Sequence, residues 1–288
     1  MQSSLSIDIV EPSAEAFKSG LKTANLERFG HIHVSRKKIS ELADFYDVAI
    51  IATPSEPRAK VLAQLSLVTS SKGWVLEKVL AQSSDELSQI LEALDGKPAW
   101  VNTPRRITRL YRQLKNCIST EGRMTFSVEW DGFSLGCNSI HFIDVVSWLS
   151  ESQVSDIQIE TEKGWYPAKR LGYSEFDGRV LANFIDGSKL EISNICSGDP
   201  NIQLKTNASD LSILEMEGVY DGSKKLINSR LEYQSELTPS IISAIGNRKT
   251  INFLPTLEES VEQHMRFFEA LEAVDLLSKD RGGIWPIT

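Results

Sequence analysis

Along the first hundred residues the hydrophobic positions switch between two periods. Residues 6–10 (SIDIV) are short and β-branched, and residues 12–21 follow with helical spacing behind a Ser13 N-cap. Residues 47–52 (DVAIIA) form a near-continuous apolar run, the pattern of a strand covered on both faces, and Thr53-Pro54 ends it. Residues 56–65 predict a second helix and 74–76 another short strand. Ser83 and Glu86 have the S-x-x-E spacing of a capping box, opening a helix that runs to about Leu94. Strand and helix in alternation predict βαβ units and a parallel sheet.

The second half changes character. Residues 124–130, 156–160, 179–185, 189–195 and 211–217 all predict strands, and Asp186-Gly187 between two of them is a hairpin turn signal. Many strands with few helices predict a mostly antiparallel sheet. A last helix opens at a second capping box, Thr256 to Glu259, carries Leu257, Val261, Met265, Phe268 and Leu271 on one stripe, and stops at Gly282-Gly283. The chain divides into an α/β domain over residues 1–115 and an α+β domain over residues 116–288.

Composition narrows the function classes. With 288 residues, 41% of them hydrophobic, the chain can bury the core of two domains. A formal charge of −8 argues against a nucleic-acid binder, which needs clustered cations. No apolar run reaches the roughly 18 residues of a membrane span, and the first residues show no basic region of a secretory signal. The three cysteines are too far apart for a zinc pattern or a disulfide framework, which points to a reducing cytoplasm.

A doubly wound sheet that binds a dinucleotide places a glycine-rich turn after its first strand. No G-x-G occurs in this sequence. Glu11 nevertheless ends a strand in the place where an acid holds ribose hydroxyls, about 20 residues after such a turn. Only ten residues precede it. The expectation is a domain without its first strand and glycine loop, through a missing natural N-terminus. The competing expectation is a degenerate domain that no longer binds a dinucleotide.

Two clusters carry candidate chemistry. Glu77-Lys78 follows a strand at its C-terminal end, where open α/β sheets bind ligands, and a lysine there can stabilise a developing alkoxide; the bland alternative is a surface pair. Residues 137–149 predict a buried helix with Cys137, Asn138, His141, Val145 and Trp148 on one face. His141, with Asn138 and Asp144 close by, reads either as a hydrogen-bonded core residue or as a tuned acid–base group. Arg105, Arg109 and Arg112 fall opposite the Ile107, Tyr111, Leu114 and Ile118 stripe, as on a solvated face, and Arg106 lies between the faces, within reach of a ligand. His31 and His33 lack a third metal ligand, so no metal site is expected, and His264 has no partner by spacing.

These pieces in this order resemble the Gfo/Idh/MocA oxidoreductase family, of the glucose–fructose oxidoreductase and inositol dehydrogenase type. DVAIIATPSEPRAKVLAQL resembles the family's strand-T-P-helix segment, WVLEKVLAQSSDEL its E-K-P segment and SIHFIDVVSWL its H-x-x-D-x-x-x-W-L helix; VNTPRRITRLYRQL, FIDGSKLEISN and the final GIWPIT also fit. The resemblance implies a Rossmann domain followed by an α/β domain whose open, mostly antiparallel sheet makes homo-oligomer contacts, as a dimer or tetramer. It implies hydride transfer between NAD or NADP and a carbon of a sugar or sugar derivative; Arg105 and Arg106 add the expectation that the sugar is nucleotide-linked or otherwise anionic. Lys78 and His141 become the catalytic pair, Glu11, Thr53, Pro54 and Glu77 the cofactor residues, and Arg106 and Asn138 the substrate residues. The sequence departs from the pattern at Val79, where the family has Pro, at Cys137, where many members have Asp, and at Arg58, where His is common. A second class fits the departures: a non-catalytic sugar-sensing or protein-interaction module that kept the fold and lost the cofactor.

Overall fold

A computed structural model of the chain describes residues 4–24, 31–118, 122–247, 254–279 and 281–288. The first part alternates strand and helix: β1 (Leu5–Ile9), α1 (Ala14–Ala24), β2 (Ile32–Arg36), β3 (Ala49–Ile51), α2 (Ser55–Val68), β4 (Trp74–Glu77), α3 (Ser84–Ala93), β5 (Ala99–Asn102) and α4 (Arg109–Cys117), of which β2 and β5 are strands beyond the three that the pattern predicts. Ser13 caps α1 by accepting the Ala16 N–H at 3.1 Å. Ser83 caps α3 in the same way, but the Glu86 carboxylate accepts from Gln82 rather than from Ser83, so the predicted reciprocal box is displaced by one residue.

All strand pairs of this part are parallel, in three separate ladders, one of them the two-residue pairing of Phe45–Tyr46 with Ser70–Ser71. β1 pairs with β2, and β3, β4 and β5 pair in that order. Among the described residues no strand hydrogen bond joins β1 to β3, the two edges that a central strand separates in a doubly wound sheet of the usual order. That edge position explains a departure from the pattern. The DVAIIA run is not covered on both faces: Ile51 is buried while Ile50 is 47% exposed.

The second part is one eight-stranded sheet flanked by helices. Its members are β6 (Thr125–Glu129), β7 (Val154–Glu160), β8 (Arg179–Phe184), β9 (Lys189–Ser193), β10 (Asn201–Lys205), β11 (Asp210–Leu214), β12 (Gly218–Asp221) and β13 (Lys224–Ile227). They lie in the order β13-β12-β11-β10-β6-β9-β8-β7, antiparallel except for β6 against β9. Each central strand alternates buried and polar positions, for example Phe126 and Val128 inward against Ser127 outward. α5 (Leu135–Ser150), α6 (Gln234–Gly246), α7 (Leu257–Glu272) and a last single turn, α8 (Asp275–Ser278), are the helices of this part. The Thr256–Glu259 capping box is reciprocal as predicted, but α7 ends at Glu272 and not at Gly282-Gly283, because Val274 turns extended after the Ala273 cap.

One hydrophobic core spans both parts. Leu76, Val101, Phe126, Phe142, Phe267 and Leu271, from both sheets, α5 and α7, belong to a single buried cluster. The C-terminal segment returns to the first part: Trp285 and Ile287 are buried, Trp285 N–H donates to Gln82 O at 2.6 Å, and Ser55 Oγ donates to Ile287 O at 2.5 Å.

Candidate active site

β4 runs through buried Trp74, Val75 and Leu76 and then delivers Glu77 and Lys78 at its C-terminal end. The Lys78–Val79 peptide bond is cis. The turn that follows is clamped from two sides. Arg58 of α2 donates to the carbonyls of Thr53, Val79 and Leu80, joining the ends of β3 and β4. Burial lowers its guanidinium to about 10, against the pull of Glu77, so it stays charged at neutral pH. On the other side, His264 of α7 accepts the Leu80 N–H on Nε2 at 3.1 Å while Nδ1–H donates to Ser260 O at 2.7 Å. Burial, partly offset by Ser260, holds this imidazole down at about 4, neutral and able to accept.

The Lys78 side chain reaches the first turn of α5. Its ammonium donates to Cys137 O at 3.1 Å, Cys137 Sγ at 2.9 Å and Asn138 Oδ1 at 3.0 Å. An ammonium has three donors, so all are committed, and the thiol is the weakest of the three acceptors for a ligand oxygen to displace. Lys78 opens on a cavity of about 530 Å³ that also holds Thr53, Arg58, Glu77, Cys137 and Glu175, with Lys169, Arg170 and Tyr173 from the loop opposite.

The predicted site residues fall into three groups. Thr53, Glu77 and Lys78 line one cavity, with Asn138 bonded to Lys78. Thr53 Oγ1 is buried with no hydrogen-bond partner. Glu77 accepts from Asn102 Nδ2 at 2.6 Å across the β4–β5 register. Pro54 sits one residue on, as the N-cap of α2. His141 lies one helical turn beyond Cys137, outside the lining, with Nδ1 buried and unpartnered. Burial, then Lys78, Arg105 and His264, hold its pKa well below the usual histidine range.

Glu11 and Arg106 lie elsewhere. The Glu11 carboxylate accepts the Ser13 N–H at 2.8 Å, at the foot of α1. Arg106 does not reach the Lys78 cavity: it is buried between Asp144 at 3.0 Å and Glu259 at 3.2 Å, in a separate cavity of about 240 Å³ beside Trp148. Arg105 is not on a solvated face either. It sits in a 3-10 turn ahead of α4, where the α-helical wheel does not apply, and pairs with Glu215 at 2.8 Å over the Phe142 ring. Among the described residues no three His, Cys, Asp or Glu side chains are grouped to hold a metal ion.

Sequence reasoning missed Glu175, His264, Lys169 and Arg170. For His264 a signal existed: Ser260 stands four residues before it, one turn away on the same face. For Glu175 none did, since its partners lie 38 and 39 residues away.

No protein-family profile matches the chain, and no curated protein matches it by sequence. Solved structures match along nearly the whole length. myo-Inositol dehydrogenase from Lactobacillus casei, in complex with NAD(H) and myo-inositol, is 12% identical with a TM-score of 0.61, over 96% of this chain and 95% of that one. The WlbA dehydrogenase from Bordetella pertussis, in complex with NADH and UDP-GlcNAcA, is 14% identical with a TM-score of 0.64, over 93% and 88%. An oxidoreductase from Sinorhizobium meliloti is 11% identical with a TM-score of 0.66, over 99% of both chains. At these identities the likeness establishes the fold, a Rossmann-type parallel part followed by a large, mostly antiparallel sheet.

Proposed function

We propose that this chain, which carries the fold of the Gfo/Idh/MocA-type oxidoreductases, transfers hydride between NAD(P) and a hydroxyl-bearing carbon of a sugar or sugar derivative. The observation that carries the reading is Lys78, at the carboxyl end of a parallel strand, with its ammonium inside a cavity of about 530 Å³. Structural neighbours with NAD(H) and myo-inositol, or with NADH and UDP-GlcNAcA, support both halves of the reaction.

The residues fit one half of the cofactor. Thr53, with its unpartnered buried hydroxyl, Glu77 and Lys78 would hold the nicotinamide end. The residues do not fit the pyrophosphate half: the sequence has no G-x-G turn, and Glu11 is bonded to its own helix start. When bound, the nicotinamide supplies the hydride acceptor or donor. The chain's own part is polar. The Lys78 ammonium exchanges its Cys137 Sγ contact for the substrate oxygen and stabilises the negative charge that builds there, while Arg58 and His264 fix the turn that aims it.

The substrate reading is an anionic sugar, a nucleotide-linked one included. Its support moves from Arg105 and Arg106, which are spent on carboxylates, to Lys169 and Arg170, which line the cavity and make no ion pair among the described residues. The reading includes a cytoplasmic homo-oligomer; among the described residues no helix is long and apolar enough to cross a membrane.

A second reading, a non-catalytic sugar-binding or interaction module, draws on the split between the β1–β2 and β3–β4–β5 ladders. NADH fluorescence titration of the 288-residue chain separates the two. Saturable binding is expected. A folded chain that shows none into the millimolar range leaves the module. Lys169→Ala/Arg170→Ala is expected to weaken binding of a UDP-sugar or uronate by roughly 10-fold while leaving a neutral cyclitol unchanged, a loss of about 1.4 kcal/mol; equal loss for both ligands would remove the anionic reading.

A further inference from the structure

α5 opens with Leu135-Gly136-Cys137, and the N–H groups of its first turn need acceptors. One side chain supplies two of them. Glu175 Oε2 accepts the Gly136 N–H at 2.7 Å, and Oε1 accepts the Cys137 N–H at 3.2 Å. Glu175 arrives from a different stretch, a short ladder in which Ser174–Glu175 pairs with Tyr166–Pro167, and Ser174 N–H is tied to Pro286 O at 2.7 Å. The approach is tight: a Cβ on residue 136 would stand 3.0 Å from Glu175 Oε2 and 2.8 Å from Ile287 Cγ2. Glu175 is only 5% exposed, yet it lines the cavity that holds Lys78. Lys78 rests on the carbonyl and thiol of the same Cys137 whose N–H Glu175 accepts. Residue 137 therefore links an ammonium on one side to a carboxyl group on the other.

We propose that Glu175 is the proton-holding group of this cavity, taking the proton of a substrate hydroxyl and returning it in the reverse direction, in place of His141. The proposal rests on the oxidoreductase reading above. The step balances within the cavity. The substrate O–H bond breaks, its electron pair stays on the oxygen beside the Lys78 ammonium, and a new O–H bond forms on a Glu175 carboxylate oxygen.

The surroundings suit that role. Lys78 from the end of β4, Cys137 from α5, Asp177 two residues on and Tyr166 of the paired strand act on Glu175, and Arg58 from α2, Glu77, and Lys169, Arg170 and Tyr173 from the loop share the cavity it lines. Burial lifts the carboxyl to about 7; the two N–H donors and Lys78 oppose the rise, and Asp177 adds to it. A group poised there exchanges protons at neutral pH. His141 is the reverse case. Its protonated form is disfavoured by burial and by Lys78, Arg105 and His264, and its buried Nδ1 has no carboxylate to hold it.

The test reads the amide that Glu175 touches. With [15N]cysteine the full chain gives three backbone signals, from Cys117, Cys137 and Cys196, assigned with Cys117→Ser and Cys196→Ser. The Cys137 amide is expected to titrate with a midpoint near 7, to lose that titration in Glu175→Gln, and to titrate about one pH unit higher in Lys78→Met, which removes the stabilising cation. A Cys137 amide that stays flat from about pH 5 to 9, or titrates unchanged in Glu175→Gln, overturns the proposal. If Glu175→Gln does not fold, the Lys78→Met shift decides, and its absence overturns the assignment. In turnover, Glu175→Gln is expected to erase the limb near 7 from the kcat/KM profile, whereas a purely structural role would lower the profile without changing its shape. Turnover with a flat amide overturns the Glu175 role alone. A titrating amide without NADH binding removes the hydroxyl-proton role together with the oxidoreductase reading.

Discussion

Lys78 matters through what surrounds it. Its ammonium is the one cation bonded to the first turn of α5 among the described residues. Lys78→Met keeps the length and apolar stem of the side chain and removes the charge. On the proposed oxidoreductase reading it is expected to lower hydride transfer by about 100-fold or more, measured as NADH formation at saturating sugar. His264 works at one remove, since it touches only the Leu80 N–H that shapes the turn. His264→Ala leaves a buried N–H without an acceptor and opens a hole beside Phe268. A loss of about 2–4 kcal/mol in urea unfolding is expected. Lys78 was legible in the sequence because a strand ends at it. For His264 only the Ser260 contact lay within reach of the sequence; its other partner, Leu80, lies 184 residues away and only packing brings them together.

At the scale of elements, pattern succeeded where one face was buried and the other wet. β6, β8 and β9 alternate cleanly and were predicted within one or two residues of their bounds. β10 (NIQLK) alternates too and is as long as β6 and β9, but it follows directly on a Gly-Asp-Pro turn and was not predicted, although it pairs with β6 in mid-sheet. Its central place gives a prediction. Leu204 is fully buried opposite Phe126, and Leu204→Ala is expected to cost about 2–5 kcal/mol in denaturant unfolding, as much as a core position of any long strand. α6 was also missed. It carries Pro239 inside the helix, a residue that argues against one in a local reading, and it forms because Leu237, Ile241 and Ile245 bury a face against Val75 and Leu254.

For the whole molecule, buried charges pull stability against pH in opposite directions. His264 is held at about 4, against about 6.5 in an unfolded chain, so its contribution is lost as pH falls through that interval. Asp144 and Glu175 are raised to about 6 and about 7 by burial, so the native state holds their protons longer than the unfolded chain, and their contribution is lost as pH rises toward neutrality. Removing one term exposes the balance. Between about pH 4.5 and 7, the stability of Glu175→Gln relative to the parent is expected to rise with pH by about 3 kcal/mol in total, read from urea midpoints. A flat difference would mean that Glu175 ionises natively as it does when unfolded.

By itself the sequence determined the βαβ start, the strand-rich second half, the helix caps at Ser13, Ser83 and Thr256, and the strand end that presents Glu77 and Lys78, because each is set by period or by neighbours within a few residues. Only the tertiary structure decided that Arg106 is locked between Asp144 and Glu259, that Lys169 and Arg170 face the cavity instead, and that a carboxyl group from residue 175 completes the first turn of α5. These depend on desolvation and on contacts between distant segments, which no local pattern encodes.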